Sequence, residues 1–395
     1  MAESLQREWR SKESVSSEPS SGSGFSVLTY NILAECNLKE WSYPFCPATH
    51  RGTYQRHPQL MVELKFHEDT DVICLQEVET EYFHQLLAPS LQQLGFQGHH
   101  FPKVGKEEGV AIFYKVSSMA LLHHQEVVFK DIFAKEAQQS VGISHRQIVV
   151  ERCNHESVAL AFTLRHRCTG KVVCVLNVHL FWKTKEYLDV NTLQAAWAVR
   201  ILKETAGQDV ATIACGDFNH TPDQPGYDVV AIGNINNKSL DQLQLFKVGK
   251  TCLVDLVPSW FHHSHHALHS AYSDIMGREP SFTVYTDEKA EVWQSMHDQF
   301  EETSSVETAP SLQDHSEKGK SDPDKENRGE NCISCLPMDR RTLDYIWYDS
   351  NYLSCQKILD VVDATIIKPF WACPNRVFPS DHMLLKAEFS WNDVS

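Results

Sequence analysis

ATIACGDFNHTPDQPGYD, residues 211–228, runs an apolar segment straight into a polar turn. Ala211–Cys215 has the short, unbroken apolar character of a buried strand. Gly216 permits a tight turn, and Asp217 and Asn219 then offer an acid and an amide two positions apart. A carboxylate in that place can orient water or help to neutralise a cation, and an amide can hold a non-bridging oxygen. An Asx turn capping the next segment would use the same two residues.

The same ending recurs on either side of this stretch. FSVLTYN reads as a strand closing at Asn31, Asp71–Gln76 as a strand closing at Glu77, and Val172–His179 as a strand closing at His179. Further strands are predicted at Gly109–Lys115, Ser157–Leu164, Thr342–Tyr348 and Met383–Phe389. Helices are predicted from about Arg56 to Phe66, over Thr80–Leu94 with Thr80 as cap and Gly95 just beyond, and over Val190–Lys203. In the last of these, Leu193, Trp197 and Ile201 share a face. Polar residues at the ends of several strands imply an α/β sandwich with a site at those ends. Few helical patterns fall between 100 and 180, which disfavours a doubly wound sheet or a (β/α)8 barrel.

Six further residues stand out in this frame. Glu77 follows an apolar run and needs a partner, which a metal or a salt bridge would supply. Asn31 sits in the equivalent place, where it can cap a turn, bond Glu77 or approach a metal shell. Asp344 lies within the apolar strand of RTLDYIWYD, and Asp381-His382 precedes another apolar strand. An Asp344–His382 pair would satisfy the aspartate while fixing the imidazole tautomer and raising its basicity. His179 reads either as a structural histidine or as part of the same set.

The chain has 395 residues, a net charge of −16 and 42% hydrophobic residues, enough for a large core. The acidic balance argues against a protein that grips long duplexes, but not against a local phosphate site where a cation reverses the field. Several of the twelve cysteines lie inside apolar strands (Cys74, Cys174, Cys215), as suits reduced intracellular thiols. No segment approaches the ~20 apolar residues of a membrane helix, and the expected setting is cytoplasmic or nuclear. Residues 1–24 read as a disordered Ser/Gly/Glu tail, and 25–392 as a single catalytic domain. That domain is interrupted at 287–336 by an insertion expected to be disordered, with 13 acidic and 5 basic residues between Asp287 and Glu330. The fragments HHSHHALH (262–269) and Cys332-x-x-Cys335 lack the second ligand pair of a structural zinc site. The oxygen-rich strand-end set suits Mg2+ instead, with Mn2+ as substitute. P-loop, GxGxxG and GxSxG signals are absent.

Together TYNIL (29–33), LQEVE (75–79), EEGVAIFYK (107–115), NVHLFW (177–182), CGDFN (215–219), LHSAY (268–272), LDYIWY (343–348) and PSDH (379–382) resemble the endonuclease/exonuclease/phosphatase superfamily. Within it they are similar to the branch of CCR4-type deadenylases, nocturnin, angel proteins and the 2′-phosphodiesterase. The resemblance implies a two-sheet β-sandwich flanked by helices, DNase I-like, with one or two Mg2+ at the strand ends. It also implies a ligand shell of Glu77, Asn31 and Asp381, with Asp217 orienting or activating water and Asn219 holding the scissile phosphate. His382, oriented by Asp344, would contact the phosphate or act as acid or base, and His179 would stabilise the phosphate or the departing oxygen.

Trp41, Tyr43, Phe282 and Tyr285 are candidates for base stacking, or else core. The activity expected first is a 3′-to-5′ exoribonuclease on single-stranded RNA, with poly(A) 3′ ends as substrate. The second is hydrolysis of small nucleotides or special RNA ends: a 2′,5′-oligoadenylate, a 2′,3′-cyclic phosphate or a cofactor 2′-phosphate. A third reading, of another class, is a non-catalytic RNA-binding adaptor. No leucine-rich repeats precede Phe25, so that route into a deadenylase assembly is not expected.

Overall fold

The computed structural model describes residues 7–12, 24–264, 267–286, 339–370 and 372–393. The acidic stretch 287–336 lies outside the described residues.

Two mixed sheets pack face to face. The first has seven strands, in spatial order Trp9–Ser11, Leu353–Leu359, Leu385–Trp391, Gly24–Asn31, Val72–Glu79, Glu108–Lys115 and Phe96–Pro102. The second has six: His269–Ser270, Asp344–Tyr348, Ala211–Asp217, Val172–His179, Val158–His166 and Met119–Val128. Helices cover the outer faces, so the expected two-sheet sandwich flanked by helices is the observed architecture.

The pleat explains the near-continuous apolar runs. Along Val72–Glu79, Val72 and Cys74 point into the core between the sheets, while Ile73 and Leu75 point outward. That outer face meets Leu60 and Leu64 of helix Thr53–Phe66, and Phe83, Leu87 and Leu91 of the helical stretch 80–93. A central strand covered on both faces therefore has no polar side to show. On the second sheet, the long helix Thr184–Ala206 lays Leu193, Ile201 and the half-buried Trp197 over Leu176 and Ala214.

Each sheet contains one parallel pair, and both pairs end at the same side of the sandwich. Gly24–Asn31 runs beside Val72–Glu79, with Asn31 level with Gln76. Val172–His179 runs beside Ala211–Asp217, with His179 level with Asp217, and the antiparallel neighbour sets Asp344 opposite Asp217. Polar residues far apart in sequence thus converge because parallel strands carry their carboxyl ends to one rim.

Two expectations need correction. Residues 7–12, within the stretch expected to be disordered, are ordered. Trp9–Ser11 pairs with Leu353–Leu359, and Arg7 bonds the Leu384 carbonyl at 2.7 Å and Glu63 at 3.2 Å. Thr80 does not cap its helix; its hydroxyl donates to the Glu107 carbonyl. Helices are sparse relative to strands between 100 and 180, as expected: Phe129–Ser140 and Ile143–Arg152 stand against the four strands Glu108–Lys115, Met119–Val128, Val158–His166 and Val172–His179.

Candidate active site

Glu77 sits where its strand kinks. A register shift between Gln76 and Val78 opposite Gly109 bulges the strand, and Glu77 adopts φ +56°, a left-handed conformation seldom taken by a non-glycine residue. The bulge turns the carboxylate toward the rim, where it accepts from the Ala34 N–H (2.9 Å), Asn37 Nδ2 (2.8 Å) and Asn31 Nδ2 (3.2 Å). Burial opposes ionisation of Glu77, but His179, Lys103 and these hydrogen bonds outweigh it and hold the carboxyl at about 2.

Asn31 ties the two sheets together at this point. Its amide nitrogen also reaches Asp217 Oδ2 at 3.1 Å, and its oxygen accepts from the Leu33 N–H at 3.0 Å. In this arrangement Asn31 spaces two carboxylates and does not aim its own oxygen at the rim. The two loops that carry these groups are clamped by a buried arginine. Arg56 donates to the carbonyls of Ile32, Leu33 and Pro379, fixing the turn after Asn31 against the turn before Asp381.

Asp217 lies in the second sheet, after Gly216. Gly216 has φ +131°, and a Cβ there would come within 2.1 Å of the Val178 carbonyl, so only glycine lets the strands approach this closely. Asp217 accepts from the Asn219 N–H at 2.9 Å, so the Asx turn weighed as the alternative is present as well, and Asp217 lies 3.7 Å from the Nε2 of both His179 and His382. Burial first, then Asp344, against the pull of His382, lifts the Asp217 carboxyl to about 7. Asn219 anchors one amide proton on the Leu180 carbonyl at 3.0 Å and keeps the other for the cavity.

The two histidines differ. His382 Nδ1 bonds Asp344 Oδ2 at 2.8 Å, and Thr283 holds the same oxygen at 2.6 Å. Burial disfavours the imidazolium, yet Asp344 and Asp217 together keep His382 well above its ordinary value. His179 is pushed well below its own by burial and by Lys103, whose ammonium donates to Nδ1 at 3.0 Å. With Nδ1 accepting, the neutral ring carries its proton on Nε2, so both histidines direct an N–H toward Asp217.

These side chains line one cavity of about 510 Å3, with Asp381, Lys103, Lys106, Asn37, Trp41 and Trp182 on its walls. The groups that the sequence singled out for chemistry therefore do come together: Asn31 at the base, and Glu77, His179, Asp217, Asn219, Asp381 and His382 on the wall, backed by Asp344. The stacking candidates divide. Trp41 is 77% exposed at the cavity, whereas Phe282 (4%) and Tyr285 (0%) are buried in a satellite core and cannot stack on a base. Tyr43 spends its hydroxyl on Asp381 Oδ2 at 2.8 Å. Lys103, Asn37 and Trp182 were not legible as site residues; only Trp182 carried a signal, being an aromatic three residues after the strand-end histidine His179 in HLFW.

A divalent cation fits this donor set. Four carboxylates crowd the rim, and Asp381 Oδ1, on the cavity wall with Glu77, is buried without a hydrogen-bond partner, which a cation would relieve. Of three acid, histidine and cysteine clusters able to hold a metal among the described residues, Asp217–Asp344–His382 is the one buried throughout.

Residues 28–382 match the Endonuclease/Exonuclease/phosphatase family. The chain belongs to that family. It is 25% identical to the CCR4-Not complex 3′-5′-exoribonuclease subunit Ccr4 of Yarrowia lipolytica, over 93% of this chain and 48% of that protein. It is 24% identical to carbon catabolite repressor protein 4 homolog 1 of Arabidopsis thaliana, over 94% and 58%. The chain thus spans about half the length of these relatives. In fold it is similar to ANGEL2, a 2′,3′-cyclic phosphatase solved with adenosine-2′,3′-vanadate (TM-score 0.67, 23% identity, 98% and 99% covered). It is also similar to the human nocturnin catalytic domain with bound sulfate (0.57, 19%, 98% of each). Family and buried acid–histidine cluster together support a metal-dependent phosphodiester hydrolase.

Proposed function

We propose that this protein is a Mg2+-dependent phosphodiesterase that acts on a small nucleotide or on the terminal phosphodiester of an RNA, a 2′,3′-cyclic phosphate first among these. The observation that carries the reading is the cavity. Its volume of about 510 Å3 lies within the ~300–1,000 Å3 that encloses a drug-sized ligand, room for one or two nucleotides. The fold likeness to a 2′,3′-cyclic phosphatase supports the same choice.

The bound cation would rest on Glu77 and Asp381, supplying charge neutralisation of the phosphate and of the leaving oxygen. Asp217, lifted toward neutrality, takes a proton from the attacking water. Protonated His382 returns one to the departing ribose oxygen. The turnover therefore adds water across one P–O bond and leaves a proton on Asp217 and none on His382 Nε2, which lie 3.7 Å apart for exchange. His179 Nε2–H and the spare Asn219 amide proton bind charge growing on the phosphoryl oxygens. Trp41 and Trp182, 77% and 63% exposed on the cavity wall, offer ring faces to a base.

A second reading, 3′-to-5′ exonucleolysis of single-stranded RNA such as poly(A), is favoured by relatives named as 3′-5′-exoribonucleases that align along more than nine-tenths of the chain. End-labelled RNA carrying a 2′,3′-cyclic phosphate, poly(A) with a free 3′ hydroxyl, 2′,5′-oligoadenylate and a 2′-phosphorylated cofactor, each with Mg2+ or EDTA, separate the two. Opening of the cyclic end without shortening supports the first reading. A ladder from the 3′ end supports the second, and no turnover of any substrate with Mg2+ or Mn2+ rejects both.

A further inference from the structure

A second side-chain cluster shares no residue with this cavity. Strands Phe96–Pro102 and Met119–Val128 are the outermost members of the first and second sheets on the same side of the sandwich. His99 is level with Ile112, His124 with Phe162 and Glu126 with Leu160, and those three partners belong to the core between the sheets. Opposed residues in neighbouring strands share a face. Both histidines and the glutamate therefore occupy inward positions where the sandwich runs out of apolar cover.

They meet across the gap between the sheets. His99 Nε2 and Glu126 Oε1 are 2.8 Å apart, and the two imidazole rings lie 4.7 Å centroid to centroid. One ligand-capable atom from each of the three residues falls within 4.8 Å of the other two. A cleft of about 380 Å3, lined by Gln97, Leu121 and Phe162 as well as the histidines, opens beside them. His124 and Glu126 are exposed and His99 half-buried, so an ion can enter and keep a water.

We propose that His99, His124 and Glu126 form a transition-metal site, suited to Zn2+, that staples the free edges of the two sheets. Two imidazole nitrogens and one carboxylate oxygen with a fourth position open to water is a common zinc donor set, and the paired nitrogens disfavour Mg2+. A His99–Glu126 hydrogen bond alone has no need of a second imidazole against the first. An ion displaces the proton those two share and draws His124 into the same contact. The bridge joins strands that belong to different sheets and share no backbone ladder.

The test titrates metal-free full-length protein with Zn2+ in saturating Mg2+, comparing wild type with His99→Gln, His124→Gln and Glu126→Gln. Calorimetry is expected to show one more zinc equivalent in wild type, with affinity for it falling by about tenfold or more in each variant. Zinc is expected to raise the thermal midpoint of wild type alone, while turnover in Mg2+ stays unchanged in all four. Co2+ in the same site should give visible bands that the substitutions abolish, without thiolate charge transfer from a cysteine. Equal zinc stoichiometry and equal thermal response in wild type and all three variants would overturn the proposal, as would a cobalt spectrum that the substitutions leave intact.

Discussion

His382 carries its charge because of what surrounds it. Burial alone would strip its proton; Asp344 behind the ring and Asp217 in front restore it. Since the folded value is raised, the protonated form persists to a higher pH than in a free imidazole and is lost only above that value. Asp344→Asn removes the stronger of the two attractions. The alkaline limb of the pH–rate profile is therefore expected to move to lower pH, read from kcat/KM across pH 6–10; an unmoved limb would remove His382 from acid catalysis. Trp41→Ala, at an exposed position outside the hydrogen-bonded cluster, is expected to raise KM several-fold with little change in kcat, measured by steady-state kinetics on a cyclic-ended oligonucleotide. Strand-end residues such as Glu77, His179 and Asp217 were legible because each interrupts an apolar run. Lys103 and Arg56 were not, because a cation at a loop or on a mixed helix face breaks no pattern; its role appears only when the carbonyls and imidazole it serves are in place.

Among the elements, the buried central strands were readable and the edges were not. Val172–His179 has the bounds expected of it, since β-branched residues covered on both faces leave no competing pattern. Phe96–Pro102 and Met119–Val128 escaped notice because QGHHF and LLHHQEV mix histidine with apolar residues, as half-solvated edge strands do. The bulge at Glu77 was equally hidden, since a register shift depends on the partner strand. Gly216 shows how tightly an element can constrain the site: a side chain at φ +131° must push the Val178 backbone away. Gly216→Ala is expected to destabilise the fold by ~2–3 kcal/mol, read from urea denaturation, and to lower turnover by displacing Asp217 from His179. An unchanged unfolding midpoint would contradict the close approach.

For the whole molecule, the two sheets act as two jaws whose rims each contribute acids: Glu77 and Asp381 from the first, Asp217 and Asp344 from the second. Asn31, level with Gln76 in one sheet, reaches Asp217 in the other, and a cation held at this rim is bound by groups that only folding unites. Mg2+ should therefore stabilise the native state by mass action, about 2.7 kcal/mol at a hundredfold excess over its dissociation constant. Thermal unfolding with and without Mg2+ is expected to show that upward shift in wild type and a smaller one in Glu77→Gln; equal shifts would place the ion elsewhere. The expected fold class followed from the recurrence of apolar runs with polar ends. The ordering of residues 7–12 did not, because three residues on an edge strand and one buried arginine leave too little pattern in a serine-rich tail.

The most direct test pairs Asp217→Asn with wild type on RNA ending in a 2′,3′-cyclic phosphate, in Mg2+ and in EDTA. Ring opening is expected in Mg2+, abolished by EDTA, and slowed by ~100-fold or more in the variant, with circular dichroism and the unfolding midpoint close to wild type. A well-folded Asp217→Asn protein that turns over phosphodiesters as fast as wild type, or full activity of wild type in EDTA, would contradict the account.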